Sequence, residues 1–87
     1  GELTSDQANL ICRKSAVAAA RFILKTKRPL KILSVKVADT AEISRGMTYE
    51  FGSVGLDESL VTVHAYAYQD DRSCTLASIV NNTAGND

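Results

Sequence analysis

The stretch LKILSVKVADTAEISRGMTYEF, Leu30 to Phe51, decides how this chain folds. Both of its flanks alternate apolar and polar residues with a period of two, the pattern of strands. In KILSVKV, Leu33, Val35 and Val37 are expected to point one way, with Ser34 and Lys36 opposite. In MTYEF, Met47, Tyr49 and Phe51 oppose Thr48 and Glu50. Between them ADTAEISRG carries charges and ends on Gly46. The two strands make a hairpin whose loop either reverses the chain or touches a partner.

Upstream the period changes. Thr4 and Gln7 have capping-box spacing, and SDQANLICRKSAVAAARFILKTK contains no Gly or Pro. This predicts one long helix running to the lysine before Arg28 and Pro29, since the residue before a proline avoids helical geometry. At about 100° per residue, Ala8, Ile11, Cys12, Ser15, Ala18, Ala19 and Phe22 share an arc expected to face the core. Arg13, Lys14, Arg21 and Lys25 fall opposite. A second row, Leu3, Leu10, Val17 and Leu24, recurs every seven residues on the charged side. It reads either as a self-association row or as surface buried beneath a terminus or loop.

Downstream, SLVTVHAYAYQ is the clearest strand: Val61, Val63, Ala65 and Ala67 on one side, Thr62, His64, Tyr66 and Tyr68 on the other. A last strand, CTLASIV, follows the polar turn QDDRS, and GSVGLDES links the second strand to the third. Consecutive strands with short links form an antiparallel meander. The fold class is α+β: one N-terminal helix packed across a four-stranded antiparallel sheet, a single domain over residues 1–87.

A hydrophobic content of 45% argues against disorder, and no apolar run approaches the ~20 residues of a membrane helix, so no membrane partner is expected. GELTSDQ is too polar for a signal peptide. Net charge is zero but lopsided: residues 1–36 hold eight Lys or Arg against Glu2 and Asp6, and the remainder is acidic. The cluster Lys25, Lys27, Arg28 and Lys31 reads either as a site for an anionic partner or as cations at the negative end of the helix dipole. No aromatic is interleaved with it, and no nucleic-acid partner is expected. Cys12 and Cys74 form either a helix-to-sheet disulfide or two buried thiols. The sequon Asn81-Asn82-Thr83 fits a secreted, extracellular chain with a glycosylatable tail.

No constellation fixes a reaction, and no enzyme, cofactor or metal is expected. His64 stands mid-strand among tyrosines, and the acid pairs of LDES and QDDRS sit where Asp and Ser stabilise turns. A small-ligand site near His64, Tyr66 and Tyr68 is the third-ranked reading, after the two binding modes below.

A meander places its first and third loops, ADTAEISRG and QDDRS, at one end of the sheet, where a stiff platform can present them to a cleft. One long helix, then LKILSVKV, then Gly46 followed by MTYEF, then VTVHAYAY leading to a last hairpin, resembles the cystatin family of papain-type cysteine protease inhibitors over roughly Ala16 to Val80. Gly46 matches the final glycine of that family's first-loop motif. Glu42 stands where glutamine is usual, Ser44 stands where valine is usual, and Ile43 is apolar one place early. Asp70 and Asp71 occupy the second loop in place of the family's Pro-Trp or Leu-Pro. The resemblance implies a noncovalent wedge of Glu42, Ile43, Ser44, Arg45 and Gly46, flanked by Asp70, Asp71 and Arg72, that plugs a protease cleft. In it Gly46 permits close approach, Ile43 gives apolar contact and Arg45 selects partners by charge. A bulky residue at Gly46 is then expected to abolish inhibition and spare the fold. The alternative keeps the fold without inhibition: a homodimer through the Leu3, Leu10, Val17 and Leu24 row.

Overall fold

The capping box forms and fixes where the helix begins. In the computed structural model, which describes residues 2–41 and 43–81, the Gln7 N–H donates to the Thr4 hydroxyl at 3.2 Å and the Thr4 N–H donates to the Gln7 side-chain oxygen at 2.9 Å. Helix α1 spans Ser5–Leu24. It ends earlier than expected, because Lys25 turns left-handed (φ 52°) and donates its N–H to the Arg21 carbonyl at 3.1 Å.

The face that α1 buries also differs from the expected arc. Ala8, Cys12, Ala16, Ala20 and Leu24 are buried, one every four residues. Such a row follows the i±4 ridge and drifts about 40° around the helix at each step, so a fixed arc cannot describe it. Phe22 is two residues from both Ala20 and Leu24; it points away from the sheet and is 77% exposed. Ala18 is exposed with it. The Lys25 ammonium lies 5.8 Å from the Phe22 ring centre and covers part of it. The seven-residue row is likewise split. Leu3 and Leu24 belong to the core, Val17 is packed against it, and Leu10 alone stands exposed, so the row offers no continuous stripe to a second helix.

Four strands follow in chain order and lie in the same order in one antiparallel sheet: β1 (Leu30–Val37), β2 (Arg45–Ser53), β3 (Val61–Ala67) and β4 (Cys74–Val80). α1 packs mainly on β3 and β2 and less on β4. The alternation in β3 holds throughout: Val61, Val63, Ala65 and Ala67 are fully buried, and Thr62, His64, Tyr66 and Tyr68 face outward, half-buried. Small residues on both sides of this contact let helix and sheet approach closely. Met47, Tyr49 and Phe51 of β2 complete the core, with the Tyr49 and Phe51 rings 5.9 Å apart.

β1 departs from simple alternation. Residues opposite one another in an antiparallel ladder share a face. Ile32 lies opposite Phe51, and Val35 and Val37 lie opposite Tyr49 and Met47, all on the helix side. The register shifts between Ile32 and Ser34, so Leu33 is the extra residue of a bulge and leaves the face expected to hold it with Val35 and Val37. Beyond the bulge the helix no longer covers the strand: Val35 and Val37 are 47% and 56% exposed.

Candidate functional site

Strand register brings the two expected loops together. Arg45, the first residue of β2, lies opposite Ala67, and Ala67 lies opposite Cys74. The connection 38–44 and the turn 68–73 therefore leave the sheet at the same end. The start of α1 joins them. The Cys12 sulfur lies 3.8 Å from the Arg45 carbonyl oxygen and 3.6 Å from that of Ala65, which places Cys12 level with the sheet's end. Ser5, seven residues earlier, stands about 10 Å further out. Three segments thus converge on one end of a body measuring 43 × 18 × 18 Å.

Each loop is held by its own backbone. In the first, the Ala38 N–H donates to the Gly46 carbonyl at 2.7 Å, the Ser44 N–H donates to the Ala67 carbonyl at 3.0 Å, and Thr40 bridges Ile43. In the second, the Tyr68 N–H donates to Ser73 at 2.9 Å and the Arg72 N–H donates to Tyr68 at 3.1 Å, with Arg72 left-handed (φ 60°). The Asp71 carboxylate accepts from the Ser73 N–H at 2.9 Å. The Ser73 hydroxyl and N–H together hold the Asp71 pKa below its ordinary value, so the turn carries a fixed negative charge.

Two members of the expected wedge behave otherwise. Arg45 does not project: its side chain is 18% exposed on the helix side of the sheet, with Nε 3.5 Å from an Asp39 carboxylate oxygen. Gly46 is not at the loop tip but buried within β2, where an added Cβ would overlap the Ala38 carbonyl oxygen. The backbone crossing beside it demands the glycine, so the expectation that a bulky residue there spares the fold is corrected. Ile43 and Ser44 are half-buried, Asp70, Asp71 and Arg72 are exposed, and Glu42 lies outside the described residues. With Arg45 paired to Asp39, the rim presents Glu2, Asp6, Asp70 and Asp71 against Arg72, whereas Lys25, Lys27, Arg28 and Lys31 lie toward the opposite end of the molecule. Loop composition shows the acids; the inward turn of Arg45 follows only from its register opposite Ala67.

The outer face of the sheet holds its own polar pairs. Thr48 Oγ1 lies 2.9 Å from His64 Nδ1, and the Ser34 hydroxyl donates to Glu50 at 2.7 Å. Hydrogen bonds from Ser34 and Ser59 hold the Glu50 pKa below its ordinary value. Among the described residues no group of three or more His, Cys, Asp or Glu side chains could hold a metal ion, and no helix is long and apolar enough to cross a membrane. Asn81 donates its side-chain amide to both Ser59 oxygens; Asn82 and Thr83 of the sequon lie outside the described residues.

Cys12 and Cys74 are free thiols, Cys12 buried and Cys74 half-exposed. Burial first, then the neighbouring Cys74 sulfur, raises the Cys12 pKa from 9.0 to about 11. A raised native pKa stabilises the fold below the unfolded value and loses that contribution as pH climbs from 9.0 toward about 11. At about pH 8 an alkylating reagent should modify Cys74 promptly and Cys12 only after unfolding, because the thiolate is the nucleophile. Mass spectrometry of a time course checks this, and equal rates at both sites would count against the buried placement.

No family model, curated protein or solved structure matches the chain.

Proposed function

We propose that this domain binds another protein with its loop rim, and that the partner is the cleft of a papain-type cysteine protease, which the rim blocks without reacting. The observation that carries this reading is the convergence of the start of α1, residues 38–41 with 43 and 44, and residues 68–73 on one narrow end of the molecule. Backbone hydrogen bonds already fix both loops, so little ordering entropy is lost when they enter a groove. The resemblance of EISRGMTYEF and its flanking elements to the cystatin family names the partner class.

Within the rim the roles shift from those expected. Ile43 supplies the apolar contact. Asp70 and Asp71 favour a cleft with cations at its mouth, which would steer the encounter and offset the cost of desolvating carboxylates. Gly46 and Arg45 hold the first loop in shape. The reading keeps the extracellular placement expected from the sequon.

The test is titration of a papain-type protease with the whole chain. Activity should fall competitively, Ile43→Asp should raise the inhibition constant about tenfold or more, and Asp70→Lys should chiefly slow association. Full protease activity at about 100 μM of folded protein, a level that already detects weak complexes, would remove the reading.

A further inference from the structure

The two edges of the sheet are treated differently by the sequence. β1 closes one edge with a bulge between Ile32 and Ser34 and with Lys31 and Lys36, devices that discourage a foreign strand from pairing. β4 closes the other with CTLASIV, seven residues without a charge or a proline, and no described strand pairs with its outer side. Its apolar residues are exposed on both faces: Leu76 and Val80 on the helix side at 39% and 49%, and Ile79 on the other at 60%. The flank of α1 above this edge, Ile11, Ser15, Ala19 and Ile23, is also uncharged, whereas the flank toward β1 carries Arg13 and Arg21 around Val17.

The hydrogen bonds of β4 show what the open edge offers. The Tyr68 N–H donates to the Ser73 carbonyl, and the Asn81 N–H donates to the Leu60 carbonyl. Hydrogen-bonded pairs alternate in an antiparallel ladder, so Ser73, Thr75, Ala77, Ile79 and Asn81 turn their backbone groups toward β3. Cys74, Leu76, Ser78 and Val80 turn theirs outward.

We propose that β4 pairs antiparallel with β4 of a second copy of this chain about a two-fold axis at Ala77, joining two sheets into one. In this register Cys74 faces Val80 of the mate and Leu76 faces Ser78, so every outward N–H and C=O of the strand finds a partner. A register shifted by two residues in either direction leaves some of them unpaired, and a shift by one turns the wrong residues together. Side chains agree with the register. Ile79 covers Thr75 of the mate, Leu76 lies diagonal to Leu76 and Val80, and nothing charged is brought together. The axis runs perpendicular to the sheet, so both helices lie on one side and the two loop rims point in opposite directions. The dimer therefore does not rest on the rim's function. A seam of one strand falls at the small end of protein interfaces, so the association is weak and concentration-dependent, with a Kd on the order of micromolar.

Three variants test it. Sedimentation equilibrium of the unaltered chain should show twice the chain mass at high concentration, falling to one chain mass on dilution. Ala77→Lys places like charges directly across the axis at a position exposed in the single chain, so it should raise the Kd at least tenfold while circular dichroism stays unchanged. In a Cys74→Ser background, Ala77→Cys should cross-link into dimers on mild oxidation, because facing non-hydrogen-bonded residues stand about 4.5 Å apart. Ile79→Cys should not, its mate lying about 14 Å away along the seam. A chain that stays monomeric up to about 1 mM overturns the proposal. So does a dimer indifferent to Ala77→Lys, or cross-linking at 79 as efficient as at 77.

Discussion

Gly46→Ala should cost this fold about 3 kcal/mol or more, the upper range for forcing atoms into a packed site. Gly46 is buried in β2, and a Cβ there would overlap the Ala38 carbonyl oxygen and come within 3.1 Å of Cδ1 of Tyr66. A flexible side chain can swing aside, but the Ala38 carbonyl belongs to backbone tied down by the Ala38 N–H to Gly46 bond at 2.7 Å. Relief requires the β1 to β2 junction to open, which loosens Ala38 and Ser44 as well. A chain of 87 residues has a total stability on the order of 4–13 kcal/mol, so the variant should lose a large part of it. Urea denaturation followed by circular dichroism reads the effect as a lower midpoint with an unchanged slope. A midpoint within error of the unaltered chain would mean that β1 and β2 do not cross as closely as described. The same geometry explains why the protease test relies on Ile43. At Gly46, loss of binding and loss of fold could not be separated.

Much of the architecture was legible because single residues carried unambiguous local signals. Thr4 and Gln7 announce the helix start, and the unbroken alternation from Val61 to Tyr68 announces both a strand and its buried side. Three features were not legible, each for a reason outside local pattern. The buried row of α1 steps by four residues, Ala8 to Leu24, and which ridge is buried depends on the residues of β3 and β2 that the helix meets. The bulge at Leu33 is invisible in KILSVKV, where apolar residues continue on either side of the register shift. The early stop at Lys25 is a left-handed turn by a residue whose type does not demand one.

The candidate site divides along the same line. That the turns near Arg45 and Arg72 share an end follows from the order of the elements, and the register confirms it. The direction of each side chain does not follow. Arg45 occupies the helix face of β2 because it lies opposite Ala67, one place before the buried Gly46, and loop composition alone makes it look available. The open edge at β4 needed the hydrogen-bond parity of the last hairpin, which no reading of CTLASIV by itself contains.

The chain's two phenylalanines give the sharpest contrast in expected effect. Phe51→Ala should destabilise by about 3–5 kcal/mol, the usual range for emptying a buried aromatic site. Phe51 is 1% exposed, lies opposite both Ile32 and Val61, and keeps its ring 5.9 Å from that of Tyr49. It also floors a groove of about 450 Å³ between α1 and β1, lined by Val17, Leu30 and Ile32 with Arg13 and Arg21 at its side. Truncation would join the new void to this groove, and water entering there would not restore the packing that Tyr49, Ile32 and Val61 lose. Phe22→Ala, at 77% exposure, removes only a partial contact with the Lys25 ammonium 5.8 Å away and should cost about 0.5 kcal/mol. Thermal melts of the two variants side by side measure how α1 is rotated against the sheet. Were the helix turned to bring the arc of Ile11, Ser15 and Phe22 inward, the two losses would be similar, and the buried row from Ala8 to Leu24 would have to be abandoned.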